Sequence, residues 1–322
     1  MTDLLTPIAP RPMRIAGDAE GIVAALREGR MPTFAAERFA VWVRAANWLI
    51  EHGELQAAAA ALQALNAASP GLEWAVNVGN LLELAPPLPP GATDFQDDLE
   101  KDVQILAQPG APMALILFCG ARHRAGMPLP LLHRWLANLG ASVIYLRDFH
   151  GLCYLRGVAS LGDNLAASVS ALQQMLDGLG ARQTVCFGGS GGGFGALRYA
   201  LQLGCDAISL GSPMNMEPEF NEHMNHGEVA RMLKTTFPDE DLDLRRGVEA
   251  ARRPPRTLVV YGERNWNERI HAEHMAGAPG ATLYPVAGYS GHATTAELIH
   301  RGQLDQMLRD FLDGRPLAAP VA

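Results

Sequence analysis

One glycine-dense turn constrains this chain more than any other feature. From Thr184 to Leu197 the sequence reads TVCFGGSGGGFGAL, an apolar run, then glycines around a single serine, then a helical pattern. This order predicts a buried strand, a sharp turn at Ser190 and a helix. Gly188 and Gly192 flank the serine with the spacing G-x-S-x-G, in which the serine adopts a strained backbone conformation beside residues without bulk. We therefore expect the Ser190 hydroxyl to project from a sharp corner.

Two other interpretations use the same glycines. Gly191, Gly193 and Ala196 match the G-x-G-x-x-G/A pattern of dinucleotide-binding turns. That function requires an acidic residue at the end of the next strand. The strand expected there, Asp206–Leu210, ends in Gly-Ser and carries its one acid at the opposite end. A purely structural turn with a solvated serine is the other alternative, and the pattern favours a reactive serine over both.

Composition limits the class of protein and its partners. The chain has 322 residues, 48% of them apolar, which suits one large α/β unit and a smaller one. A net charge of −8 without a dense basic run argues against nucleic acid. No run reaches the roughly 18 apolar residues of a membrane helix, and the start lacks the features of a secretory signal. The scattered cysteines make a reduced, cytoplasmic protein the simplest expectation.

Residues 1–90 predict a helical N-terminal domain. Its helical patterns are separated by turn residues and cover Asp18–Arg30, Thr33–Glu51, Glu54–Ala68 and Leu72–Leu84. The turn at 52–54 and the closing Pro70 are similar to one tetratricopeptide-type helical hairpin. A single such unit closes no core, so we expect these helices to pack on the next domain or to bind a protein partner or a second copy. An ordinary helical bundle is an equal alternative.

The proline-rich run Ala85–Gly91 marks the predicted boundary, with a linker at 91–100 and an α/β domain at 101–322. In that domain apolar runs alternate with helical patterns, which predicts a mostly parallel central sheet flanked by helices. Strands are expected near Val103–Ala107, Ala114–Phe118, Ser142–Leu146, Thr184–Phe187, Ala207–Leu210, Thr257–Tyr261 and Thr282–Val286. Helices are expected near Leu129–Leu139, Leu165–Leu179, Gly192–Leu203, Arg269–Met275 and Ala296–Leu312.

A histidine after the last expected strand is a candidate base for Ser190. A serine hydroxyl is a weak nucleophile and needs an adjacent base. The last strand is followed by AGYSGHATT, which contains His292. The glycine-flanked serine, its strand context and this histidine together resemble the α/β-hydrolase superfamily over roughly residues 101–322. The resemblance implies an eight-stranded, mostly parallel sheet, the chain order serine, acid, histidine, and a covalent acyl-enzyme formed without a cofactor.

The third member of the implied triad is open. Many hydrolases carry Gly-x-x-Asp after the sixth expected strand, and this chain has Asn265 in that slot. An asparagine orients a histidine but does not stabilise the imidazolium by charge. Glu268, one helical turn later, is the first candidate, with Glu263 and Asn265 as alternatives. Asp206 and Glu217 are more distant candidates.

The resemblance also implies an oxyanion hole and a lid. The hole needs two backbone N–H groups, one from Gly191 and one from the loop after the second expected strand, at Ala121 or Arg122. The basic side chains of that loop are candidates for binding an acidic substrate group. The Met-rich insertion at 212–255 stands where such enzymes commonly carry a lid.

These features predict a serine hydrolase that cleaves a small-molecule ester or thioester, with Ser190 as nucleophile and His292 as general base. Two alternatives are an acyltransferase on the same fold and a catalytically degenerate binding or scaffold protein that uses the N-terminal helices. No metal is expected, because the two histidine pairs with a spacing of three residues offer too few ligands.

Overall fold

A seven-stranded sheet lies at the centre of the computed structural model, which describes residues 17–318. The strands are β1 (Val103–Leu106), β2 (Met113–Phe118), β3 (Ala141–Leu146), β4 (Gln183–Gly189), β5 (Asp206–Leu210), β6 (Thr257–Gly262) and β7 (Ala281–Val286). Their order across the sheet is β1-β3-β2-β4-β5-β6-β7, and β1 pairs antiparallel to β3 while the other pairs are parallel. The predicted α/β class is confirmed. The described residues form seven strands where the resemblance implies eight.

Helices surround this sheet and form a separate N-terminal layer. They are α1 (Gly17–Arg27), α2 (Phe39–Glu51), α3 (Leu55–Ala68), α4 (Glu73–Leu84), α5 (Leu129–Ala137), α6 (Leu165–Leu179), α7 (Gly191–Leu203), α8 (Gly227–Thr236), α9 (Leu244–Ala250), α10 (Trp266–His274), α11 (Thr294–His300) and α12 (Leu304–Leu312). Among the described residues, none of these helices has the length and apolarity needed to cross a membrane.

The central strands are buried on both faces, as their nearly continuous apolar runs predict. All residues of β2 and β3 are buried. Successive residues of a strand point to opposite faces, so Leu115 packs in the core shared with α5, α11 and α12, and Ile116 packs in the core shared with α6 and α7. The two cores fix the sheet, and the sheet fixes the loops at its carboxyl edge.

The C-terminal helix differs from the prediction of one helix over Ala296–Leu312. The chain forms α11 and α12, separated at Gly302, whose φ is 66°. The N–H of Gly302 donates to the carbonyl O of Ile299 at 2.8 Å and that of Gln303 donates to Leu298 at 2.8 Å. These bonds close a helix end that requires a left-handed residue, which glycine supplies.

The insertion at 212–255 also contains more structure than the sequence suggested. It includes the helices α8 and α9, and its first part runs through the core, where Met214 and Met216 are buried. Those two methionines therefore serve packing.

The N-terminal helices α1–α4 enclose an apolar cluster of their own that includes Trp42, Leu49 and Leu62. The segment 91–100, expected as a linker, packs against the sheet domain. Phe95 is buried and stacks on Tyr145 with ring centroids 4.4 Å apart. The domain boundaries drawn from the sequence remain predictions.

The two edges of the sheet are short or interrupted. β1 forms one edge with four residues, and β7 forms the other. β7 includes Pro285, which pairs in register with Tyr261 of β6. Proline has no backbone N–H, so this edge strand lacks one hydrogen-bond donor.

Candidate active site

Ser190 occupies the corner between β4 and α7 in a strained backbone conformation. Its φ is 53° and its ψ is −134°, a region that residues with a Cβ rarely adopt. The Ser190 N–H donates to the carbonyl O of Leu210 at 3.0 Å, and the Ser190 carbonyl accepts from Gly193 at 3.0 Å. The elbow is therefore held on one side by β5 and on the other by the first turn of α7.

Backbone contacts explain the glycines on either side of the serine. A Cβ on Gly188 would overlap the carbonyl O of Gly192, and a Cβ on Gly192 would overlap the carbonyl O of Phe118. Neither obstacle is a flexible side chain. The G-x-S-x-G spacing is thus set by the contact between the elbow, α7 and the end of β2.

His292 and Glu268 form a hydrogen-bonded pair. The Nδ1 of His292 lies 2.8 Å from the Oε1 of Glu268. Glu268 is buried with a side-chain exposure of 5%, while the His292 side chain is 56% exposed. The hydrogen bond to Glu268 raises the pKa of His292 above its ordinary value. Burial of the ring acts in the opposite direction, and its effect is smaller. This contact fixes Nδ1 as the donor and leaves Nε2 as the basic nitrogen.

Backbone groups hold the carboxylate of Glu268 in place. Its Oε2 accepts the N–H of Gly262 at 2.8 Å, where β6 ends. Its own N–H donates to the Oδ1 of Asn265 at 3.3 Å, since Asn265 caps the start of α10. The Asn265 Nδ2 donates to the carbonyl O of Gly291 at 3.1 Å, beside His292. Asn265 therefore joins α10, which carries Glu268, to the loop that carries His292.

The pair lies close to the serine elbow. Leu210 accepts the Ser190 N–H, and the next residue, Gly211, lies so near Glu268 that a Cβ there would be 2.9 Å from the Oε1. No hydrogen bond joins Ser190 to His292 within residues 17–318. Bonds of this kind are often long before substrate binds.

The other candidate acids make different contacts. Glu263 accepts the N–H of Gly288 at 2.7 Å. Glu217 accepts the N–H of Leu242 at 2.9 Å. Asp206 accepts from the Arg256 guanidinium at 2.9 Å, at the amino end of β5. Of the carboxylates considered from the sequence, Glu268 is the one that contacts His292.

The loop after β2 lies against the elbow. A Cβ on Gly120 would be 3.2 Å from the Ser190 Cβ. The Gly120 N–H donates to the carbonyl O of Arg124 at 2.8 Å, which closes the turn that presents Ala121. Ala121 is exposed, and its N–H donates to no other group in the described part of the chain. The Arg124 side chain pairs with Glu51 of α2, so it is not available for the acidic substrate group considered from the sequence.

A second tight turn beside the elbow carries no recognisable motif. Cys153 and Tyr154 have φ values of 51° and 63°, and the Sγ of Cys153 would be 3.5 Å from a Cβ on Gly191. The half-buried carboxylate of Asp148 holds this turn by accepting the N–H groups of Leu152 at 2.7 Å and Tyr154 at 2.9 Å. The available signal in the sequence was an acid two residues after the end of β3.

The insertion brings a further histidine to the site. Burial lowers the pKa of His226, and the nearby charge of His292 lowers it further, while Glu268 opposes this effect. The ring of His226 lies 5.7 Å from that of His271, on α10. Burial, with smaller effects of His226 and His274, lowers the pKa of His271 to about 3. Among the described residues no group of three or more side chains could hold a metal ion.

The mostly parallel sheet flanked by helices, with a strained serine between β4 and α7, is the α/β-hydrolase fold expected from the sequence. No protein-family model and no curated protein sequence matches the chain.

The solved structures similar to this chain include three enzymes of low sequence identity. An α/β hydrolase from the metagenome of lagoon sediments of Mar Chica, Morocco, is 15% identical, with a TM-score of 0.43 over 66% of this chain and 94% of its own. The esterase PF2001 of Pyrococcus furiosus is 13% identical, with a TM-score of 0.45 over 67% and 88%. Est816, an N-acyl homoserine lactone degrading enzyme, is 15% identical, with a TM-score of 0.40 over 65% and 95%.

Proposed function

We propose that the protein is a serine hydrolase that cleaves an ester or thioester through an acyl-enzyme on Ser190. The observation that carries the proposal is the 2.8 Å contact between His292 and a buried Glu268 beside a serine at positive φ. A serine with an adjacent base can act as a nucleophile, whereas a purely structural turn needs neither the base nor the strained backbone.

In the proposed first half-reaction, the Ser190 Oγ attacks the carbonyl carbon and His292 Nε2 takes the hydroxyl proton. The carbonyl π electrons move to oxygen, and the N–H groups of Gly191 and Ala121 stabilise that oxyanion. Glu268 orients His292 and stabilises its positive charge without taking the proton. When the oxyanion collapses, the bond to the alcohol or thiol breaks, and the leaving group receives the proton from His292.

In the second half-reaction, water takes the place of the serine as nucleophile. His292 removes a proton from water, hydroxide adds to the acyl carbon, and collapse of the second oxyanion breaks the bond to Ser190. The proton on His292 returns to the serine oxygen. The products are a carboxylic acid and an alcohol or thiol, and the enzyme is restored.

A fluorophosphonate probe with intact-mass detection tests the nucleophile. The wild type is expected to gain one probe adduct, and Ser190→Ala none. Ser160→Ala is the matched control, because Ser160 is an exposed serine outside the turn that holds Ser190. This variant is expected to be labelled fully. An unlabelled wild type, or equal labelling of Ser190→Ala, would contradict the proposal.

A further inference from the structure

We infer that the N-terminal helices position the oxyanion loop through the ion pair between Glu51 and Arg124, which makes Glu51 a positioning residue for catalysis. This inference rests on the proposed function. It gives the N-terminal layer a role in the reaction itself.

A short chain of contacts leads from α2 to the oxyanion loop. Glu51 is the last residue of α2 and is 4% exposed, and its Oε1 pairs with the guanidinium of Arg124. The backbone carbonyl of Arg124 accepts the N–H of Gly120 at 2.8 Å. Gly120 directly precedes Ala121 and lies against the Ser190 Cβ. A shift of Arg124 therefore moves the turn that presents the Ala121 N–H.

Glu51 is itself anchored from the side of the sheet. Its carbonyl O accepts the N–H of Asp97 at 2.8 Å. The carboxylate of Asp97 pairs with Arg147, which is fully buried just after β3 and also donates to the carbonyl O of Lys101 at 2.8 Å. Because Glu51 is anchored in this way, its ion pair with Arg124 restrains the loop after β2.

The carboxylate of Glu51 depends on Arg124. Its second oxygen, Oε2, is buried and has no hydrogen-bond partner among the described residues. Burial raises the pKa of Glu51, and the charge of Arg124 offsets part of this rise. A buried charge with one partner strongly favours the geometry that keeps this partner. The loop conformation is thereby coupled to the position of α2.

The expected effect falls on the transition state. Donors of an oxyanion hole act on charge that develops during the reaction, so a displaced loop lowers kcat more than it changes KM. Loss of a whole donor costs about 10²–10³-fold in kcat. A displaced donor retains part of this effect, and we expect Glu51→Gln to lower kcat about tenfold or more.

The test uses the full chain with p-nitrophenyl butyrate and an alkylboronic acid, which forms a tetrahedral adduct on the serine. Glu51→Gln and Arg124→Met are each expected to lower kcat with little change in KM and to raise the boronic acid Ki by the same factor. The double variant is expected to lose no more than the worse single one, because both substitutions break one connection.

Glu54→Gln is the matched control, since Glu54 pairs with Arg27 at 2.7 Å inside the same helical layer. It is expected to keep wild-type kcat and Ki. An active wild type with unchanged kcat and Ki in Glu51→Gln and Arg124→Met overturns the inference alone. Equal losses in Glu54→Gln, or additive losses in the double variant, overturn it as well. A wild type that neither reacts with fluorophosphonate nor hydrolyses the ester overturns the proposed function and the inference together.

Discussion

At Ser190 the strained backbone depends on the glycines on either side. The serine reaches its corner because Gly188 and Gly192 let three segments of backbone meet. This requirement is local and steric, so the spacing of the glycines predicted the elbow. The partner of His292 was harder to predict, because Asn265 stands in the usual acid slot and the choice of Glu268 depends on a contact between two loops distant in sequence.

Gly192→Ala is expected to destabilise the protein by at least about 2 kcal/mol, since the added Cβ meets the backbone of Phe118 and not a side chain that can move. Urea unfolding measures the change. Gly178→Ala is the control, because Gly178 is exposed within α6 and a Cβ there meets nothing within 4 Å. That variant is expected to gain about 0.5–1 kcal/mol. Equal stability of the two variants would contradict the steric account.

Glu268→Gln is expected to change the pH dependence of the reaction. In the proposed mechanism His292 must be neutral to accept the serine proton, so kcat/KM is expected to fall as the pH drops through the pKa of His292. Glu268 raises this pKa above the ordinary value of about 6.5. The variant is therefore expected to lose activity at a lower pH than the wild type, with a plateau reduced by about 10³–10⁴-fold. Glu263→Gln is the control; an acid limb that moved in this variant instead would assign the triad acid to Glu263.

At the scale of the elements, the start of α10 sets the position of Glu268 relative to His292. The sequence predicted this helix from Arg269, but it begins at Trp266 because Asn265 caps it. This cap was not predicted, because Asn265 stands at the position where an acid was expected. The sheet strands were easier to place, since short apolar runs with β-branched residues fit a buried sheet. The path of the insertion was not predictable, because its methionines fit a core and a lid equally well.

Asn265→Ala is expected to lower stability by about 1 kcal/mol through loss of the cap and to lower kcat through loss of the bond to Gly291. Asn265→Asp retains a capping oxygen but not the donor to Gly291. We therefore expect it to recover stability and not kcat, as measured by thermal unfolding and ester hydrolysis. Full activity in both variants would mean that Asn265 serves α10 alone.

Across the whole molecule, buried neutral histidines limit stability in acid. The pKa of His271 is lowered by burial to about 3, while the unfolded chain binds this proton below about 6.5. Between these values the unfolded state holds one more proton than the native state, so the free energy of unfolding falls as the pH falls. For this residue the slope approaches 1.4 kcal/mol per pH unit.

His271→Asn is expected to lower this slope by the share of about one bound proton. The amide oxygen of the asparagine can accept the Met214 N–H, and the amide does not titrate. Urea unfolding at several pH values between these limits measures it. His223→Asn, at an exposed position, is the control and is expected to retain the wild-type slope. An unchanged slope in His271→Asn would show that other groups cause the loss of stability in acid.

Pro285 has a consequence for how molecules of this protein meet in concentrated solution. A neighbouring chain that extended the sheet at β7 would need a continuous row of backbone donors, and the row is broken at this residue. Within residues 17–318 the strand at the opposite edge, β1, is four residues long. Strand addition at a sheet edge begins many aggregates. The missing N–H of Pro285 opposes it at β7, and the short length of β1 opposes it at the other edge.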